Sequence, residues 1–151
     1  MKVTKNFVLT KQSDIDGFSS FKCSLCGEEF KLLSNESQED DVYELFCPHC
    51  GIPSPPSSYI TDDFVENAKV LVDNEVAKML NDFTKDLEKT FRDNKSIKFK
   101  GSKKMPIKPL LPMYEQDNLD QIEFTCCERK AKLNTILISS KNPYCPYCGV
   151  N

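Results

Sequence analysis

All eight cysteines of the 151-residue chain fall into two sets and none lies outside them. Cys23-Ser24-Leu25-Cys26 and Cys47-Pro48-His49-Cys50 make the first set; Cys126-Cys127 and Cys145-Pro146-Tyr147-Cys148 make the second. Each set spans fewer than thirty residues, and 75 residues separate them. A segment that short cannot bury enough apolar surface to fold unaided, so it needs a disulfide or a metal. The second halves match nearly letter for letter, Phe46-Cys47-Pro48-His49-Cys50-Gly51 against Tyr144-Cys145-Pro146-Tyr147-Cys148-Gly149.

Compartment chooses between the two cross-links. Met1-Lys2-Val3-Thr4-Lys5-Asn6 runs into mixed polar sequence without a secretory apolar region, and no apolar run reaches the roughly eighteen residues of a membrane span. The expectation is a reducing, cytoplasmic setting, where paired cysteines are ligands or redox groups rather than structural disulfides.

In the first set twenty residues separate Cys26 from Cys47. Zn²⁺ takes four thiolates in a tetrahedron, and a two-residue gap lets both sulfurs of a pair reach one ion. Gly27 and Gly51, each following the second cysteine of its pair, can take the positive φ that closes such a turn. Cys-Pro-His-Cys also matches the letters of a dithiol oxidoreductase, but Gly51-Ile52-Pro53-Ser54-Pro55-Pro56 behind it cannot open the helix such a site requires. His49, the sole histidine, is expected at the exposed tip of the turn.

The second set is less regular. Cys126 aligns with Cys23, Arg129 stands where Cys26 would be, and 17 residues separate Cys127 from Cys145. Either both adjacent cysteines ligate one ion, or one binds and leaves a fourth position for water or an outside ligand. Four-cysteine ligation by Cys126, Cys127, Cys145 and Cys148 is the expectation, giving two zinc ions per chain with Cys23, Cys26, Cys47 and Cys50 holding the other.

Periodicity places the rest. Asn6 to Thr10 reads as an extra strand or arm, followed by a turn at Asp14-Ile15-Asp16-Gly17. Phe30–Leu33 and Val42–Phe46 read as the two strands of a hairpin, Ser96–Lys100 and Gln121–Thr125 as further strands, and Leu133–Ser140 as strand-like. Pro53 to Ser58 reads as a semi-rigid linker. From Thr61 to Arg92 apolar residues recur every three or four positions, with Thr61, Asp62 and Asp63 as start signals, which predicts one amphipathic helix about 45 Å long. Its apolar stripe packs within the chain or pairs with a second copy. Pro106, Pro109 and Pro112 keep the following segment extended. The expected fold class is small, metal-stabilised α+β. Residues 1–52 form an N-terminal zinc ribbon, 53–60 a Pro/Ser linker and 61–94 the helix; 95–151 hold basic strands and a C-terminal ribbon.

Charge is uneven. Residues 1–91 carry 9 Lys/Arg against 17 Asp/Glu, and residues 92–151 carry 11 against 6, a balance of −8 and then +5. The basic half suits an anionic partner or an acidic neighbour. Its candidate nucleic-acid contacts are Arg92, Lys95, Lys98, Lys100, Lys103, Lys104, Lys108, Arg129, Lys130, Lys132 and Lys141. Lysines of that kind also protect exposed strand edges from pairing. The first hairpin region is acidic, repels phosphate, and fits either a basic protein surface or solvent.

The motifs Cys23-x-x-Cys26-Gly27 and Cys47-Pro48-x-Cys50-Gly51 resemble the zinc ribbon (rubredoxin-like) superfamily. Cys145-Pro146-x-Cys148-Gly149 does too, and Cys126-Cys127 departs from its pattern. The resemblance covers about sixty residues and implies a metal scaffold that binds nucleic acid or docks onto nucleic-acid machinery. No nucleophile–base constellation is visible, so the chain is expected not to be an enzyme. The leading expectation is a zinc-binding adaptor that docks onto other proteins through its ribbons and helix. The alternatives are a nucleic-acid binder using residues 92–141 and a zinc-linked thiol redox switch.

Overall fold

The computed structural model describes residues 5–151. The leader reading rests partly on Met1 to Thr4, which lie outside the described residues. Contacts divide the chain into two units: Thr10–Phe64 with Met113–Asn151, and Met1–Leu9 with Val65–Pro112. Among the described residues no helix is long and apolar enough to cross a membrane.

The first unit holds all eight cysteines. Its four-stranded antiparallel sheet runs in the order β1 (Phe18–Lys22), β2 (Glu29–Leu33), β6 (Arg129–Leu133), β5 (Asp120–Phe124). The β1–β2 hairpin carries the first cysteine pair in its loop, and β5–β6 carries Cys126-Cys127 in the same place. The central pairing, β2 with β6, joins the halves, with Lys31 opposite Lys132 and Leu32 opposite Ala131. Each half continues through a short helix, α1 (Ser34–Ser37) or α3 (Thr135–Ser140), into its Cys-Pro-x-Cys-Gly turn. The two cysteine sets therefore share one sheet and one unit rather than occupying separate ribbons.

Several strand expectations change accordingly. Phe30–Leu33 pairs with Phe18–Lys22, not with Val42–Phe46; only Leu45–Phe46 is a strand there, β3, and it pairs with β4 (Pro53–Ser54). Pro53 to Tyr59 is not a spacer: after β4 a 3₁₀ turn at Pro56–Ser58 delivers Tyr59 into the core, where its hydroxyl donates to the Leu45 carbonyl at 2.6 Å. Leu133–Ser140 splits into the end of β6 and α3, because the Asn134 side chain accepts from the Ile136 amide and caps a helix. Lys5 to Ser13 forms no regular element.

Period-two alternation gives the sheet two different faces. One carries Phe30, Leu32, Ala131, Leu133 and Phe124, which pack with Leu45, Tyr59, Leu137 and the buried Cys23, Cys47 and Cys145. The other is charged and buried. Lys31 (1% exposed) and Lys132 (4%) lie side by side, so they need counter-ions. Asp14 Oδ2 accepts from both, at 3.3 and 2.9 Å; Asp16 takes Lys132 at 2.8 Å, and Glu115 takes Lys11 and Lys31 at 3.3 and 3.5 Å. Asp14 Oδ1 meanwhile accepts from the Asp16 and Phe18 amides, which fixes the turn expected there.

The second unit is built on α2 (Asp62–Phe91), whose first three residues belong to the sheet unit. No Pro or Gly interrupts it, and the helix expected over 61–92 is present. Asn67, Asn74 and Asn81 recur every seven residues along one side. Each clasps one residue of the returning segment through both its amide and its carbonyl: Leu111 at 2.7 and 3.0 Å, Lys108 at 2.8 and 2.8 Å, Met105 at 2.8 and 3.0 Å. Each clasped residue precedes a proline (Pro112, Pro109, Pro106), which biases it toward extended backbone. The spacings match: seven helical residues rise about 10.5 Å, and three extended residues span roughly 9–11 Å. Glu88, seven beyond Asn81, accepts from the Gly101 amide at 3.0 Å, and a Cβ on Gly101 would stand 2.5 Å from Glu88 and Thr84. Ser96–Lys100 is consequently not a strand; it folds back with Phe99 against Phe91, ring centroids 6.4 Å apart.

Candidate metal centres

Each hairpin loop delivers two sulfurs and each Cys-Pro-x-Cys-Gly turn two more. In the first centre Cys23, Cys26, Cys47 and Cys50 bring their sulfurs within 4.8 Å of one another; in the second Cys126, Cys127, Cys145 and Cys148 do the same. Sulfur–sulfur distances of 3.9 Å (Cys23–Cys50), 3.5 Å (Cys26–Cys47) and 3.4 Å (Cys126–Cys148) are far longer than a disulfide bond, and all eight cysteines are unbridged. Four ligands at the zinc–sulfur distance in a tetrahedron stand roughly 3.8 Å apart, so the donor sets fit a tetrahedral ion.

Local backbone explains why Cys126-Cys127 replaces a Cys-x-x-Cys. Between Lys22 and Glu29 the loop has six residues and turns at Gly27, φ 76°. Between Phe124 and Arg129 it has four and turns at Glu128, φ 52°, the one non-glycine residue in the left-handed region among those described. Losing two residues brings the cysteines together while both sulfurs still reach the cluster. The expectation of four-cysteine grouping holds for both sets.

The turns aim amides at the sulfurs: Leu25 and Cys26 at Cys23, His49 and Cys50 at Cys47, Tyr147 and Cys148 at Cys145. Burial pushes the Cys47 and Cys145 thiols well above their ordinary range and Cys127 up to about 11. Cys148 moves the other way, to about 7: burial opposes its thiolate, but the Val150 amide and the Cys126, Cys127 and Cys145 sulfurs outweigh it. Four thiolates this close repel one another, and a bound dication removes that repulsion.

The centres are related by an approximate two-fold. Phe46 N–H donates to the Pro146 carbonyl at 2.7 Å and Tyr144 N–H to the Pro48 carbonyl at 2.9 Å. The Phe46 ring covers Gly149 (φ 71°) and the Tyr144 ring covers Gly51 (φ 70°), so closely that a Cβ would stand 2.7 Å and 3.0 Å from the rings. Each aromatic that introduces one turn closes over the glycine that ends the other. Beside the second centre lies a groove of about 540 Å³ lined by Asp41, Val42, Tyr43, Glu44, Phe46, Cys127, Arg129 and Tyr147. Arg129 crosses it, its guanidinium 4.4 Å from the Tyr147 ring centroid and 2.7 Å from Glu39. His49 is exposed, as expected, and Cys47–Cys50 leads into β4 rather than a helix.

The cationic residues are divided between the two units. Arg92, Lys95, Lys98, Lys100, Lys103, Lys104 and Lys108 lie exposed in the helical unit, Lys108 3.4 Å from Asp73. Arg129, Lys130, Lys132 and Lys141 lie in the sheet unit, where Lys132 is buried among carboxylates and Arg129 holds Glu39. Only Lys130 and Lys141 of these four stand exposed. The asparagine ladder, by contrast, had a sequence signal: three asparagines at a spacing of seven and three prolines at a spacing of three. No family model matches this chain, and neither the curated proteins nor the solved structures include a significant match to it.

Proposed function

We propose that the protein is a non-enzymatic, zinc-stabilised docking module of the cytoplasm, related in design to the zinc ribbons, with two structural Zn²⁺ ions. The observation that carries the metal assignment is the coincidence of eight converging thiols with burial of Cys23, Cys47 and Cys145 inside the apolar core. All-thiolate tetrahedral sites select zinc or iron among common metals, and closed four-cysteine coordination leaves no position for substrate. Docking is supported by the groove at the second centre, where Tyr43 is 82% exposed between Asp41 and Glu44. Exposed aromatics flanked by carboxylates suit a basic peptide surface.

Elemental analysis of the purified protein tests the metal: two zinc per chain is expected, falling to one in Cys127→Ser. Iron in place of zinc, or one zinc in the unaltered chain, would refute it. A second reading, nucleic-acid binding, is favoured by the run of exposed cations from Arg92 to Lys108. Titration with labelled DNA and RNA at two salt concentrations separates them, since phosphate binding weakens steeply with salt. Salt-sensitive affinity that drops when Lys103 and Lys104 become Glu would move the assignment from protein to nucleic acid.

A further inference from the structure

The side of α2 opposite the asparagine ladder is apolar and open. At 100° per residue, Val65, Val72, Val76, Met79 and Phe83 lie within about 40° of the direction diametrically away from Asn74. They are 39% to 66% exposed, although the helix that bears them is long and regular. Their spacing alternates four and three through Lys69 and on to Asp86 and Thr90, a heptad seam about 27 Å long from Val65 to Phe83. Seams of that period close by pairing with another helix.

The two charges in the seam say which helix and in which direction. Lys69 sits near its start and makes no ion pair among the described residues; Asp86 sits near its end, 74% exposed and only 3.6 Å from Lys89. A parallel pair of identical helices would set Lys69 against Lys69 and Asp86 against Asp86. An antiparallel pair with its two-fold axis midway between Val76 and Met79 sets Lys69 against Asp86 at both ends. The same register matches Val76 with Met79 and Val72 with Phe83, apolar on apolar. Glu75 and Asp82 approach each other on the flank of that register, and each already holds a lysine of its own helix, Lys78 at 2.8 Å and Lys85 at 3.6 Å. We propose that the protein self-associates as an antiparallel homodimer through this seam, centred between Val76 and Met79.

Sedimentation equilibrium of the full-length, metal-loaded protein over a concentration series tests the proposal. Twice the 17.2 kDa chain mass is expected at high concentration. Lys69→Glu and Asp86→Lys each convert two attractive pairs into repulsive ones and are expected to weaken the dimer about 10- to 100-fold. The double variant Lys69→Glu/Asp86→Lys restores the opposite-sign pairs and the affinity. Both sites are exposed on the helix, and unchanged metal content and circular dichroism would show that the variants still fold. A monomer throughout the series overturns the proposal, whatever else covers the seam. A dimer indifferent to the single changes overturns it as well, because only the antiparallel register brings Lys69 to Asp86.

Discussion

Asn74→Ala isolates one rung of the ladder. Asn74 is 8% exposed and exchanges two 2.8 Å hydrogen bonds with Lys108, donating Nδ2 to its carbonyl and accepting its amide at Oδ1. Each such bond is worth about 0.5–1.5 kcal/mol net, so the rung contributes about 1–3 kcal/mol. Alanine in a helix interior gains back about 0.5–0.7 kcal/mol over asparagine. Global stability is therefore a mixed readout, because the helix gain offsets part of the rung's loss and leaves a net cost of about 0.3–2.5 kcal/mol. The helix term does not touch the clasped segment, whereas the rung does.

Amide hydrogen exchange at Lys108 separates the two. Losing about 1–3 kcal/mol from local closure speeds exchange there by about 5- to 150-fold, with smaller changes at Met105 and Leu111, whose rungs remain. Asn74→Asp is the paired control: it keeps an acceptor for the Lys108 amide, loses the donor, and sets a carboxylate beside the Lys108 carbonyl, so it slows exchange only partly back. Asn67 is fully buried and Asn81 half-buried, which orders the alanine series Asn67 above Asn74 above Asn81. If Lys108 exchanges as fast in the unaltered protein as in Asn74→Ala, the ladder is not holding the segment.

Acid unfolding should report on Asp14. Burial opposes its carboxylate, but Lys132, the Phe18 amide and Lys31 outweigh it and hold the pKa at about 2 instead of 3.8, so about 2 kcal/mol of stability is present above pH 3.8 and lost as pH falls toward 2; Asp14→Asn should remove that dependence and lower stability at neutral pH. Gly149→Ala combines a left-handed φ with a Cβ pressed into the Phe46 ring and should cost about 2–4 kcal/mol in denaturant unfolding, while Gly27→Ala, with nothing within 4 Å, should cost only about 1–2 kcal/mol. Glu128→Gly should stabilise the metal-loaded protein by about 1 kcal/mol in the same assay, since glycine relieves the 52° φ at little expense to contacts.

The features legible in the sequence are those written in local chemistry. Cysteine spacing gave the two four-sulfur groups, uninterrupted three-and-four periodicity gave α2 to within a residue at each end, and Asp14-Ile15-Asp16-Gly17 gave its turn. What stayed hidden depends on partners distant in the chain. Val42–Phe46 alternates as a strand should, yet β2 prefers Phe18–Lys22, whose Phe21 stacks on Phe30 with ring centroids 5.8 Å apart. Leu133–Ser140 looks β-branched and apolar, but the Asn134 cap and burial of Leu137 make it helical after two residues. Lys132 looked like a phosphate contact because its counter-ions, Asp14, Asp16 and Asp117, are more than a hundred residues away or in an unmarked loop.

The joining of the two cysteine sets was the least legible feature and has the largest consequence. Nothing in Lys31 or Lys132 announces that β2 and β6 pair, since a lysine at that position reads as an outward residue of a separate ribbon. Once they pair, the two lysines are trapped on one face and the arm carrying Asp14 and the loop carrying Glu115 must fold over them. The other face then brings Phe46 onto Gly149 and Tyr144 onto Gly51. Each Cys-Pro-x-Cys-Gly turn is thus braced by the aromatic that precedes the other. The glycines at 51 and 149 meet two demands at once, a left-handed turn next to two cysteines of a four-sulfur group and a surface flat enough for the opposite ring. A single ribbon needs only the first. The second follows from the doubling, and it makes the geometry of either centre a condition for the packing of both.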